Sequence, residues 1–247
     1  MKEKHDILYG YHSVYEALKA EKRTFYSLLM SKKRSLQRTE KIEAIANQRQ
    51  IKIEEVDPSL LDKMTDLANH QGLVAKTSFF PVKKAAEVVH LIGQHKTPCF
   101  ILVLENMEDP HNLGALIRTA LCAGVDYILI PKDRSVGPSS TISRSSAGAM
   151  EHASIYMITN TVSILKSLKE NGVWISGLDA DGKTSLFSSD LTGNIALVIG
   201  GEHKGIRPLV KKECDFLISI PNKGNINSLN ASVAGGIAMY EALRQRT

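Results

Sequence analysis

In the second half of the chain the apolar residues come in short dense runs: CFILVLE, DYILIP, ASIYMIT, GVWISGL, NIALVIG and DFLISIP, each bounded by Gly, Pro, Asn or Asp. Between the runs the spacing lengthens to a helical rhythm, clearest at Leu113, Leu116, Ile117, Ala120 and Leu121. Buried runs alternating with helices predict a parallel sheet covered on both faces, an α/β unit over 98–247. The front of the chain has another texture. Val14, Ala17 and Leu18 mark a short amphipathic helix after Gly10, FYSLLMS reads as a strand, and a helix around Ile42 to Arg49 precedes the strand IKIEEV. HQGLVAKTSFF alternates as a closing strand. This predicts a small α/β unit over 1–80, joined to the larger one by a linker with a short helix over 81–97.

Composition narrows the classes. Of 247 residues 43% are hydrophobic and 23% charged, which is globular and not disordered. The net charge of +5 is a mild basic excess, compatible with a polyanionic partner without naming one. Cys99, Cys122 and Cys214 stand far apart, and MKEKHD is followed by no apolar leader, so neither a disulfide framework nor a secretory signal is expected. No apolar run approaches the ~18 residues of a membrane span. The expectation is a cytoplasmic protein with no metal site and no membrane partner.

In parallel sheets the chemistry gathers at the carboxyl ends of the strands. The polar stretches ENMEDPHN, GGEHKG and PNKGNINSLN, the last two carrying glycine, lie there. After the first of them, Arg118 is the one charge between Asn112 and Val125, about 130° from the centre of the apolar stripe of its helix. Asn112 reads either as a site residue or as a helix N-cap, Glu202 as a site residue or a solvated loop carboxylate, and Ser228 as a site residue or the cap of the last helix. That helix, SLNASVAGGIAMYEALRQR, carries Gly235 and Gly236 in its middle, at a cost of about 1 kcal/mol each against alanine. Tight packing on the sheet or on a second subunit is expected to compensate, which makes a homodimer through this helix a hypothesis. GLDADGKT matches the phosphate-cradling loop pattern, but SLFSSDLTGN after it is too polar for the helix that pattern should open. A polar loop is the better expectation. IGGEHKGIRP lacks the spacing of a dinucleotide fingerprint.

Taken together, DPHNLGALIRTA, ALVIGGEHKGI and IPNKGNINSLNASVAGGIAMYEAL resemble, in order and spacing, the three motifs of the SpoU branch of the SPOUT RNA methyltransferases. The front unit, with GYHSVYEAL and HQGLVA, is similar to the L30e-like substrate-binding domain fused to the ribosomal-RNA guanosine 2′-O-methyltransferases of that branch. The resemblance implies a trefoil knot in the C-terminal domain and S-adenosyl-L-methionine as methyl donor, bound by backbone groups at Gly200, Gly201, Ile220 and Leu229. It implies transfer to a ribose 2′-hydroxyl, most simply of a guanosine in 23S ribosomal RNA. It also implies a homodimer in which Arg118 serves the partner's pocket. Arg118, Asn112, Glu202, Ser228 and Asn230 are the implied catalytic set. A guanidinium rarely gives up its proton, so Arg118 is expected to hold an RNA phosphate and steady the developing alkoxide. His203 stands where the family commonly has glycine, and Asn222 where methionine is usual. Lys32, Lys33, Arg34 and Arg38 read as RNA contacts or as a solvated face. Transfer-RNA guanosine methylation and an RNA-binding protein without transferase activity are the alternatives.

Overall fold

The computed structural model describes residues 5–32, 36–202, 204–224 and 228–247. Lys33, Arg34, the side chain of Arg38, and His203 lie outside the described residues.

The front elements are β1 (Asp6–Tyr9), α1 (Tyr11–Ala20), β2 (Phe25–Ser31), α2 (Leu36–Gln48), β3 (Ile53–Val56), α3 (Pro58–Met64) and β4 (Leu73–Thr77). The four strands pair in the order β1-β4-β2-β3, antiparallel except for β2 with β3. One face buries Val14, Leu18, Leu28, Met30, Ile42 and Ala75; the other packs Leu29, Leu61 and Val74. Because β4 is hydrogen-bonded on both edges and covered on both faces, Leu73, Val74 and Ala75 are all buried, and the alternation expected from HQGLVAKTSFF gives way to a continuous run. β1 and α3 were not legible as separate elements, each being shorter than two full periods of its pattern.

The chain continues through β5 (Lys83–Lys84), α4 (Ala86–Ile92), β6 (Phe100–Glu105), α5 (Pro110–Cys122), β7 (Tyr127–Pro131), α6 (Ser140–Ser145), α7 (Ala149–His152), β8 (Ile155–Ile158) and α8 (Thr161–Glu170). Then come β9 (Trp174–Leu178), β10 (Thr184–Ser185), β11 (Ile195–Gly200), α9 (Pro208–Lys211), β12 (Phe216–Ser219) and α10 (Ala231–Arg246). All six runs named above are strands of one parallel sheet, ordered β10-β12-β9-β11-β6-β7-β8-β5. Every residue of FILVLE and YILIP is buried, as strands covered on both faces require.

Contacts divide the chain into Met1–Pro81 with Pro138–His152, and Val82–Gly137 with Ala153–Thr247. The 81–97 stretch expected as a linker is therefore more than a tether. Its β5 pairs with β8, and Val88 and Ile92 of α4 are buried in the core of the second unit. In the first unit α6 and α7 belong with β1 and α1 although they lie far along the chain. The fully buried Arg23 side chain binds Glu151 at 2.8 and 3.1 Å and Asp6 at 2.8 Å. Nothing local in GPSSTISRSSAGAMEH announces that pairing, since Arg23 and Glu151 are 128 residues apart.

α10 explains one of its glycines. A Cβ on Gly235 would lie 2.4 Å from Leu116 Cδ2 and 2.7 Å from Ile199 Cδ1, so its absence lets α10 close on α5 and β11. Gly236 meets nothing closer than Thr119 Cγ2 at 3.8 Å.

Candidate active site

The site forms where β6, β11 and the start of α10 meet. α5 is started by Asp109, whose Oδ1 accepts from the His111 N–H at 2.9 Å, with Pro110 in the first turn. The cap expected at Asn112 is thus one turn earlier, which leaves the Asn112 amide free for other partners. Its Nδ2 donates to Asp109 Oδ2 at 2.9 Å and, by a very short contact, to Glu202 Oε1. At the head of α10 the cap is Asn230 and not Ser228: Asn230 Oδ1 accepts from the Ser232 and Val233 N–H groups at 2.9 and 3.3 Å. The other end of that amide donates to Glu202 Oε1 at 2.8 Å and to Asn112 Oδ1 at 3.2 Å. Three residues from three separate stretches, Asn112, Glu202 and Asn230, therefore close one hydrogen-bonded triangle. Glu202 is a loop carboxylate with two fixed amide partners, not simply a solvated one.

A cavity of about 490 Å³ lies on one side of Glu202. Gly200, Gly201, Ile220, Leu229 and Ser228 all line it, and so does Asn222. The reason for two consecutive glycines is not the one expected from ligand approach alone. A Cβ on Gly200 would lie 2.1 Å from the Gly205 carbonyl carbon, and one on Gly201 2.0 Å from the Asn106 carbonyl oxygen. The loops touch each other there, and Gly205 N–H returns to Gly201 O at 2.9 Å. A smaller cavity of about 250 Å³, lined by Asn106, Met107, Glu108, Asp109, Asn112 and Lys204, shares Gly201 and Glu202 as its wall with the first.

Sequence reasoning missed two contributors. Leu178, Asp179, Ala180 and Asp181, from the stretch set aside as a polar loop, line the larger cavity together with Lys211. Asp179 Oδ2 pairs with Lys211 Nζ at 2.5 Å. The position of that loop at the carboxyl end of β9 was the signal. The phosphate-loop alternative fails on structure: the chain passes from Lys183 into β10 and a single 3-10 turn, Leu186–Ser188, with no helix to face a phosphate. The second contributor is Glu105, fully buried at the end of β6, bound by Arg207 at 2.7 and 3.0 Å and by Thr161 Oγ1 at 2.5 Å. This bidentate pair raises the Arg207 guanidinium pKa further and anchors the end of the Gly201–Gly205 loop.

Arg118 stands apart from the triangle. Its side chain is exposed, lines neither cavity, and makes no hydrogen bond or ion pair among the described residues. α5 packs on one side only: Leu113, Leu116 and Ile117 are buried, whereas Leu121 and Cys122 beyond Arg118 are exposed. Val233 and Tyr240 of α10 are exposed as well.

No helix among the described residues is long and apolar enough to cross a membrane.

Residues 99–240 match the model of the SpoU rRNA Methylase family, and residues 7–82 match that of RNA 2'-O ribose methyltransferase substrate binding. YacO of Bacillus subtilis, named for the TrmH family of tRNA/rRNA methyltransferases, is 38% identical over 100% of this chain and 98% of its own length. The 23S rRNA (guanosine-2'-O-)-methyltransferase RlmB of Vibrio parahaemolyticus is 36% identical over 98% of this chain and 97% of its own. The crystal structure of the SpoU methyltransferase AviRb from Streptomyces viridochromogenes with AdoMet shares the fold, with a TM-score of 0.81 at 20% identity over 98% of this chain and 90% of that one.

Proposed function

Since this chain belongs to the SpoU rRNA Methylase family, we propose that it methylates a ribose 2′-hydroxyl of RNA with S-adenosyl-L-methionine, the acceptor being a guanosine of 23S ribosomal RNA. The observation that carries this reading is the Asn112–Glu202–Asn230 triangle set between two cavities. Family membership and relatives named for 23S guanosine support the ribosomal acceptor, as does the front unit's match to a substrate-binding family.

The larger cavity suits the donor. Its volume lies within the ~300–1,000 Å³ of small-molecule sites. Leu178, Ile199, Ile220 and Leu229 offer apolar surface for a base. Asp179, Asp181 and Glu202 against Lys211 leave a net negative lining that favours a cationic ligand. When bound, the donor supplies a methyl group already activated on a sulfonium. The protein's tasks are then alignment and relief of the hydroxyl proton. Gly200, Gly201, Ile220 and Leu229 hold the donor through their backbone, and the knotted path implied for these loops is part of the same proposal. The acceptor ribose enters the smaller cavity, where Asn112 and Asn230 fix the Glu202 carboxylate, and Ser228 offers a hydroxyl from the larger cavity on the other side of Glu202. Arg118, exposed and without an ion pair among the described residues, takes an RNA phosphate and stabilises the oxyanion as it forms. A second copy docked on α5 and α10 brings that arginine to its partner's cavity and covers Leu121, Val233 and Tyr240.

Incubation with methyl-labelled donor and total RNA tests the reading. Label at a ribose of 23S RNA is expected; label confined to transfer RNA would move the acceptor, and no label in any RNA would defeat the assignment.

A further inference from the structure

The second unit holds another cavity, of about 560 Å³, on the opposite flank of the same sheet. It opens at the carboxyl ends of β5, β7 and β8 and against the first turns of α8. Its polar lining includes Lys84, His90, Lys132, Thr159, Asn160 and two serines of α8, and no carboxylate lines it among the described residues. Both lysines are exposed, and neither is in an ion pair among the described residues. Their backbones are nonetheless fixed at the rim. Lys132 N–H donates to Ile158 O at 2.9 Å, and Ala85 N–H, next to Lys84, donates to Met157 O at 3.1 Å. Asn160 caps α8 through Oδ1, which accepts from the Ser163 N–H at 3.1 Å, so the positive end of a ten-residue helix faces the same space. The neighbouring Glu87 is held outside the lining, where its Oε1 accepts from the Lys84 N–H at 3.0 Å.

Two ammonium groups, the His90 imidazole, a helix amino end, an amide and hydroxyls, with no Phe, Tyr or Trp in the lining among the described residues, describe a site for a compact anion. We propose that this cleft binds a phosphodiester of the RNA substrate, a few nucleotides along the backbone from the methylated ribose. The inference rests on the ribose-methylation reading and extends it. The cleft opens on the same edge of the sheet as Glu202. Three strand spacings separate β8 from β11, about 14 Å, a distance that an RNA backbone crosses without leaving the surface. The contact gives affinity and register, not sequence choice.

Binding of labelled 23S RNA is measured across a salt series for the wild type, for Lys84→Ala/Lys132→Ala, and for a control, Lys169→Ala/Lys212→Ala, which removes equal charge elsewhere on the unit. The cleft variant is expected to bind about tenfold more weakly and to flatten the slope of log affinity against log salt by about 1.4, two contacts at roughly 0.7 each. Calorimetry with S-adenosyl-L-methionine should give unchanged donor affinity, which shows the fold and the methyl site intact. An unchanged slope, or an equal loss in the control, overturns the proposal while leaving the methylation reading standing. A wild type that binds no RNA defeats both. Inorganic phosphate at constant ionic strength should leave RNA affinity within about twofold; a millimolar phosphate affinity abolished by the same pair of substitutions, with RNA binding unmoved, would assign the cleft to a small free anion instead.

Discussion

Removing Arg118 takes away no hydrogen bond or ion pair among the described residues, and that separates its function from its folding. Arg118→Ala should lower turnover by about 100-fold or more, the scale of losing one transition-state donor, while unfolding free energy changes by less than about 0.5 kcal/mol. Steady-state kinetics beside a denaturant titration decides the matter, and a large fall in stability would make the arginine structural. Arg118→Lys should restore little, because an ammonium cannot grip phosphate in two places. Titration supplies a second residue-scale check. Hydrogen bonds from Arg244 and Gln245 hold the Glu241 carboxyl down at about 2. A carboxyl depressed in the folded state stabilises above its ordinary range and loses that contribution as pH falls towards 2. Glu241→Gln should therefore lower stability around neutral pH and leave it nearly unmoved near pH 2, which flattens the acid limb of a stability-against-pH curve. The thiols of Cys99 and Cys214 are pushed up to about 12, chiefly by burial, so both should resist alkylation at pH 8 in the native protein.

Between elements, the site depends on loops that touch. Gly201→Ala would drive a methyl into the Asn106 carbonyl oxygen, and the loop would have to move; donor affinity should fall at least about tenfold, read by calorimetry. Gly235→Ala sets about 1 kcal/mol of helix propensity against a Cβ at 2.4 Å from Leu116. Overpacking costs about 1–3 kcal/mol, so the clash should win and the protein should unfold earlier. Glu105→Gln leaves Arg207 without its carboxylate. Because Arg207 is 36% exposed, the loss should be about 2 kcal/mol, below the 3–5 of a fully buried pair, with the Gly201–Gly205 loop loosened. At this scale the six main strands, the helix around Arg118 and the three-motif site were legible, because each is written in local periodicity or in residues at strand ends. The rest was not. Asp109 and Asn230 took the caps offered to Asn112 and Ser228, since several short polar residues compete at each helix start. Glu105 with Arg207 and Arg23 with Glu151 join positions more than 100 residues apart, and no window of sequence contains both partners.

For the whole molecule, the exposed features include several that an RNA or a second copy would cover: Arg118, Leu121 on α5, Val233 and Tyr240 on α10, and the lysines of the cleft. A dimer in which Arg118 acts on its partner's cavity predicts complementation. Mixing Arg118→Ala with Gly201→Ala should recover part of the activity that neither has alone, through dimers with one intact site, and no recovery would place both groups in one subunit. The most direct test is ribose-methylation mapping of 23S RNA from cells with and without this gene. Loss of a single guanosine 2′-O-methyl mark, restored by the wild-type chain but not by Arg118→Ala, is the predicted result; identical maps would contradict it.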